Sequence, residues 1–102
     1  MADNFCSRMR GLMGRDQIGE TEGLLLAPCN AVHMMFMRFP IDVLFLNRDF
    51  IVIEILHNLK PWRISHIVRG SYQAVELMAG VAKNKGVKIH DKLTLLKVNK
   101  KV

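Results

Sequence analysis

The chain has 102 residues, a formal net charge of +6 and an apolar fraction of 50%, a composition that excludes two classes of protein. A chain of this length builds one hydrophobic core, so we expect a single domain over residues 1–102. The apolar half can bury enough surface to offset the entropy lost on ordering, which excludes intrinsic disorder. Apolar runs such as Val43–Leu46 are far shorter than the roughly 20 residues of a membrane-spanning helix. We therefore expect no transmembrane helix.

The positive charge is concentrated in the second half of the chain. Up to Glu54 the formal charge is −2, and from Ile55 onward it is +8. The bases of the second half are mainly lysines, with few aromatic residues between them. Specific nucleic-acid sites use arginine forks or aromatic stacking platforms. The pattern therefore favours a solvated basic surface over nucleic-acid binding.

The start of the chain, Met1–Cys6, lacks the basic region and apolar core of a secretory signal. We accordingly expect a cytoplasmic location for the chain as given. In a reducing compartment, Cys6 and Cys29 are expected to be thiols and not a disulfide.

The first third of the chain predicts one helix and two strands. Phe5, Met9, Leu12 and Met13 recur at helical spacing, which predicts a short amphipathic helix over Asn4–Met13 with Gly14 as its stop. Three leucines ended by Pro28 predict a buried strand over Leu24–Leu26. Ala31–Arg38 is apolar on both alternating faces, which predicts a strand covered on both sides.

A β-hairpin is the clearest local signal further along. Ile41–Leu46 and Phe50–Leu56 are apolar runs, the second rich in β-branched residues, and Asn47–Asp49 forms a turn between them. A strand over Gln73–Leu77, a short helix over Met78–Lys85 ended by Gly86, and a closing strand over Lys92–Val98 follow. The expected fold is mainly β (α+β), a small antiparallel barrel or jelly-roll-like sandwich with one or two short helices.

Four motifs in this order are similar to those of a known family. They are Arg10–Arg15, Pro28–His33, Phe36–Leu46 and Val75–Gly80, and a late turn at Gly86–Asp91 follows in the same order. The chain resembles the bacterial and archaeal domain-of-unknown-function family one hundred and ninety-two over nearly its whole length. The resemblance implies a mainly β domain with a barrel-like or jelly-roll-like sheet and a helix near the start, and it implies no established activity.

The chain departs from the family pattern in two places. Family members usually have a strand before the first motif, and many carry an export signal upstream, whereas few residues precede Arg10 here. Either the start is trimmed or that strand is missing, which would leave a sheet edge open to pairing. Where members usually have Gly-Asp before the closing strand, this chain has His90-Asp91, and a turn that needs a positive φ would be strained by the histidine.

Two acids, Asp42 and Glu76, lie within apolar strand sequence. A carboxylate in such surroundings must be paired or hydrogen-bonded, and an arginine fork is a suitable partner. One interpretation is a polar cleft that binds a small polar ligand or a peptide, with the candidate set His33, Arg38, Asp42 and Glu76. The other is a structural salt-bridge set that tethers the first helix to the sheet, formed among Arg10, Arg15, Arg38, Asp42 and Glu76.

The sequence predicts no metal site and no cofactor. Cys29 and His33 would lie about 13 Å apart on a strand, too far to share a metal ion. No paired cysteine or histidine motif with metal-ligand spacing is present. A Cys29 nucleophile with His33 as its base lacks a third orienting group.

Three functions remain open from the sequence, and a binding domain without catalysis is favoured. In the first, the cleft near His33, Arg38, Asp42 and Glu76 binds its ligand or peptide. In the second, a hydrolase-like enzyme uses Asp42 or Glu76 as general base and Arg38 as electrostatic clamp. In the third, the lysine-rich second half docks an acidic partner. Trp62, between Pro61 and Arg63, is a candidate exposed anchor for a partner surface. The sequence gives neither the ligand nor the oligomeric state.

Overall fold

A computed structural model describes residues 7–15, 19–31 and 39–100, with side chains described over 23–31 and 39–94. Within these residues there are six strands and one short helix. Their bounds are β1 Ser7–Arg15, β2 Gly19–Ala27, β3 Ile41–Leu46, β4 Val52–Leu59, β5 Gln73–Met78, α1 Val81–Asn84 and β6 Thr94–Lys100.

The strands form one sheet in the order β4-β3-β5-β2-β1-β6, and neighbours within it run antiparallel. All six residues of β3 are buried, because β3 lies between β4 and β5 and both of its faces are covered. Its near-continuous apolar sequence is the one that such a position requires.

The sheet curls so that its two ends meet through the backbone. Ile51, just before β4, forms a bridge with Lys92, just before β6. The Val52 N–H donates to the Asp91 carbonyl at 2.8 Å, the His90 N–H donates to the Val52 carbonyl at 2.7 Å, and the Leu93 N–H donates to the Phe50 carbonyl at 2.9 Å. These bonds close one end of a barrel-like sheet, as the predicted fold class requires.

Alternate residues of the central strands contribute to two separate apolar clusters, one on each face of the sheet. The first face carries Leu25, Leu44, Leu46, Val52, Val75, Leu77, Ala82, Val87 and Leu93. The second face carries Leu26, Cys29, Ile41, Val43, Phe45, Val68 and Ala74. α1 and residues 85–93 cover the first face, and the Lys60–Tyr72 connection between β4 and β5 covers the second.

Several predicted elements are confirmed and one is wrong. The strands at Leu24–Leu26 and Gln73–Leu77 and the hairpin beginning at Ile41 are present. The helix predicted over Asn4–Met13 is contradicted from residue 7 onward, where β1 lies. An interior glycine, Gly11, would weaken a helix of this length, and antiparallel pairing with both β2 and β6 favours the strand. The helix implied near the start by the family resemblance does not lie in residues 7–15, which form β1.

Two further expectations concern the ends of elements. The second predicted helix is present but short, at Val81–Asn84, and the closing strand runs from Thr94. The predicted strand at Ala31–Arg38 lies, apart from its first residue, outside the described residues.

Candidate functional site

The Asp42 carboxylate is almost fully buried, with 1% of the residue exposed, and it accepts three backbone hydrogen bonds. The Asn58 N–H donates to Oδ1 at 2.9 Å. The N–H groups of Gly80 and Ala82 each donate to Oδ2 at 3.0 Å. Asp42 thus joins the end of β4 and the start of α1 to the centre of the sheet.

These contacts give Asp42 a structural role. A general base needs a lone pair that faces water or substrate, whereas both oxygens of this carboxylate receive backbone N–H groups inside the protein. The sequence correctly requires a partner for Asp42, but the partners are main-chain amides rather than arginine side chains.

Glu76 lies on the other face of the sheet from Asp42. In the register of β3 and β5, Asp42 is opposite Leu77 and Val43 is opposite Glu76. Directly opposed residues of an antiparallel pair point to the same face, and neighbours along a strand point to opposite faces. Leu77 belongs to the first face and Val43 to the second, so Asp42 and Glu76 point to opposite faces of the sheet.

The basic residues of the predicted site are placed as follows. Arg10 pairs with Leu24 in the sheet, and Leu24 pairs on its other side with Glu76, so an ion pair between Arg10 and Glu76 remains a prediction. Arg15 pairs with Gly19, about 17 Å along β2 from the row of Glu76. An ion pair between Arg15 and Asp42 or Glu76 stays a prediction. His33 and Arg38 lie outside the described residues.

The connection between β4 and β5 is fastened to the sheet at several points. Val68 is buried in the second-face cluster, and its N–H donates to the Asn30 carbonyl at 2.8 Å. The Ser71 hydroxyl donates to the Cys29 carbonyl at 2.8 Å. His66 Nε2 lies 2.6 Å from Oε2 of Glu54 on β4. These contacts hold the connection over the second face.

Despite this anchoring, the connection exposes large apolar side chains beside bases. Trp62 is 57% exposed, Ile64 63% and Ile67 69%. The six side chains of Lys60, Trp62, Arg63, Ile64, Ile67 and Arg69, all exposed, are here called the connection surface. Trp62 has a φ of 67°, a left-handed conformation that is uncommon for a residue with a side chain and that is enriched at functional positions. The exposure predicted for Trp62 is confirmed.

Within the described side chains, no group of three His, Cys, Asp or Glu residues is placed to hold a metal ion. Cys29 is buried, and its thiol donates to the Ala31 carbonyl at 3.1 Å. Cys6, the other residue expected to be a thiol, lies outside the described residues.

Sequence reasoning missed a set of polar residues that fix the turns. Asn47 Oδ1 accepts from the N–H groups of Asp49 and Ile51 at 2.9 and 3.0 Å, and the Asn47 carbonyl accepts from the buried Gln73 side chain at 2.9 Å. Asn before a turn is a recognised local signal and would have identified the first contacts. The pairing of His66 with Glu54 has no such signal, because it joins two segments through the fold.

The fold defines a small, mainly β domain built on one antiparallel sheet. The DUF192 family model, described as an uncharacterised ACR, matches residues 1–95. The chain belongs to this family, as its motifs predicted.

Two relatives support the assignment. A protein of Pyrococcus furiosus named as a UPF0127 protein is 36% identical over 97 residues, which are 90% of this chain and 81% of that protein. A crystal structure of a protein of unknown function from Novosphingobium aromaticivorans is similar in fold, with a TM-score of 0.66 and 27% identity. That match covers 82% of this chain and 64% of the solved chain, so this chain spans just under two thirds of the solved protein's length.

Among the helices that the structure describes, none has the length and apolar character needed to cross a membrane.

Proposed function

We propose that this domain is a non-catalytic binding module that holds an acidic peptide segment of a partner protein on the connection surface. The observation that carries the proposal is the exposure of Trp62, Ile64 and Ile67 on a connection that the sheet holds in place. Exposed apolar groups that are already ordered bind at a lower entropic cost than groups on a loose loop.

The apolar side chains of this surface are of the type that dominates binding energy. Tryptophan and arginine are enriched among the residues whose truncation costs most at interfaces. Trp62 and Arg63 are adjacent, and the aliphatic Ile64 follows. The three together offer an anchor with a charged neighbour.

Charge complementarity indicates an acidic partner. Residues 55–75 contain Lys60, Arg63 and Arg69 and no acid. Glu54, the nearest acid in the chain before this stretch, contacts His66. The uncompensated positive charge would attract carboxylates and raise the rate of encounter at low salt.

The other two functions receive less support. The ligand cleft includes Asp42, and the hydrolase-like site uses Asp42 or Glu76 as its base; the Asp42 oxygens bond backbone N–H groups, which leaves Glu76 to carry either function. The lysines around α1, such as Lys83 and Lys85, are exposed, but within residues 80–92 the only large apolar side chain exposed near them is Ile89. Exposed lysines with few apolar neighbours attract acidic molecules in general and give little specificity for one partner.

The test uses a fluorescent eight-residue peptide that alternates glutamate and valine, with a lysine-valine peptide as its opposite-charge control. Titration of the full chain, followed by fluorescence anisotropy, should show binding of the acidic peptide and not of the basic one. The affinity should fall as salt is raised, because exposed charges are screened.

Two substitutions locate the site. Trp62→Ala and Arg63→Glu should each weaken binding of the acidic peptide about tenfold or more, as loss of an interface anchor does. Lys83→Glu, an exposed lysine on the cover of the opposite face, is the matched control and should have a much smaller effect. If Lys83→Glu abolishes binding while Arg63→Glu leaves it unchanged, or if neither peptide binds, the proposal is wrong.

A further inference from the structure

β4 forms one edge of the sheet, next to β3. Among residues 7–15, 19–31 and 39–100, no strand pairs with its outer side beyond the contacts at its start. At that start, Val52 exchanges backbone hydrogen bonds with His90 and Asp91. The outer edge of β4 therefore pairs with residues 90–92 near its start, and no described strand pairs with the rest of it.

The register shows which backbone groups face outward. The Leu46 carbonyl accepts a bond from the Tyr72 N–H at 2.9 Å, on the side of β5. Since backbone groups alternate in direction along a strand, those of Leu44 also point away from β4. Ile55 lies opposite Leu44, so its N–H and carbonyl point outward, and the same alternation gives His57 an outward direction.

The composition of β4 does not protect this edge. Natural edge strands are usually shielded by lysine, proline or a covering loop. β4 reads Val-Ile-Glu-Ile-Leu-His-Asn-Leu, without lysine or proline. Its register shifts are at its two ends, which leaves Glu54–Leu56 in regular pairing with β3.

The connection that carries the connection surface runs back over β4 on the second face of the sheet. The chain turns after β4, where the Arg63 N–H donates to the Lys60 carbonyl at 3.2 Å. It then runs back along the strand, since His66 contacts Glu54 and a Cβ added to Gly70 would lie 3.6 Å from Ile53 Cδ1. A chain paired with the edge would have the exposed apolar and basic groups of the connection beside it.

We infer that the acidic peptide binds by strand addition, in extended form, to the outer edge of β4. Its backbone bonds the N–H and carbonyl groups of Ile55 and His57, and alternate side chains reach the connection surface. This is the mode in which main-chain bonds supply affinity and alternate side chains supply specificity. The inference rests on the proposed function, and it adds the mode of binding.

Amide hydrogen exchange, followed by NMR on the full chain, tests the backbone bonds. Saturation with the glutamate-valine peptide should slow exchange at the Ile55 and His57 N–H groups at least tenfold. The N–H of Val52 already donates to Asp91 and serves as the internal control, with little change expected.

A set of peptides with a single N-methyl group at successive positions gives a second readout. Strand addition predicts that affinity falls at every second position, because only alternate peptide N–H groups face β4. If the peptide binds but N-methylation has no alternating effect and Ile55 and His57 gain no protection, strand addition is wrong while the proposed function stands.

The remaining outcomes are also decisive. If no peptide binds, both proposals fail. If Ile55 and His57 are already protected in the protein alone, and the protein sediments as a dimer, a second copy occupies the edge and the inference of a partner peptide is overturned.

Discussion

The two faces of the sheet are covered in different ways. The first-face cover, α1 with residues 85–93, is tied to the sheet by the buried carboxylate of Asp42 and by strand-like bonds to Val52. The second-face cover, the Lys60–Tyr72 connection, buries Val68 but exposes Trp62 and Ile67. The difference separates a cover whose side chains complete the fold from a cover that leaves large apolar side chains exposed, as the proposed binding surface requires.

Removing the Asp42 carboxylate should have the largest effect and should affect the first-face cover. In Asp42→Ala, three backbone N–H groups lose their acceptor, that of Ala82 in a buried bond and those of Asn58 and Gly80 in part-buried ones, and a donor left unsatisfied in a buried place costs about 1–3 kcal/mol. We expect the free energy of unfolding in urea to fall by about 3 kcal/mol or more. Asp49→Ala, an exposed acid in the hairpin turn, should change it by less than about 0.5 kcal/mol. Equal effects would contradict the structural role.

Truncating Val68 should weaken the second-face cover by less. Val68→Ala removes two methyl groups from a cluster in which Val68 is 5% exposed, and we expect a loss of about 2 kcal/mol. Amide hydrogen exchange should become faster mainly in the connection, including at the Val68 N–H, which donates to the Asn30 carbonyl. If protection at Gly80 and Ala82 falls as strongly, the two covers are not independent.

Replacing His90 should stabilise the first-face cover. His90 has a φ of 79°, as suspected from the glycine that family members have there. His90→Gly should raise the free energy of unfolding by about 1 kcal/mol, since the left-handed conformation costs glycine nothing. Lys88→Gly, at an exposed neighbour without a positive φ, should lower it by about 0.5–1 kcal/mol. A lower free energy of unfolding in His90→Gly would show that contacts of the His90 side chain stabilise the fold by more than its left-handed backbone conformation destabilises it.

The smallest effect on stability should accompany a loss of binding. Ile67 is 69% exposed, so Ile67→Ser should leave the free energy of unfolding within about 0.5 kcal/mol of the original. Affinity for the glutamate-valine peptide should nevertheless fall severalfold in anisotropy titrations. A large fall in the free energy of unfolding would show that Ile67 helps to hold the connection on the sheet, and that it is not free to contact a peptide.

The sequence predicts the local elements of this fold better than its long-range arrangement. The hairpin from Ile41 is recognisable because two apolar runs flank an Asn-containing turn, and both signals act over a few residues. The N-terminal segment misleads because its helical spacing is overridden by pairing with β2 and β6, strands that come later in the chain.

The placement of the candidate site residues likewise depends on long-range arrangement. Whether Asp42 and Glu76 share a face depends on the register of β3 against β5, which a one-residue shift would reverse. The partners of Asp42 are amides up to 40 residues away, and any residue other than proline could supply them. Exposure of Trp62 is predictable because proline and arginine flank it in a polar connection.

The Asp42 contacts also have a consequence for folding kinetics. The carboxylate gains its donors only after the end of β4 and the start of α1 have both reached β3, across 16 to 40 residues of chain. Contacts between distant segments form late, once loop closure has been achieved. Interactions absent from the transition state govern the unfolding rate and leave the folding rate nearly unchanged. We therefore expect Asp42→Ala to speed unfolding much more than it slows folding, which stopped-flow unfolding and refolding in urea would measure.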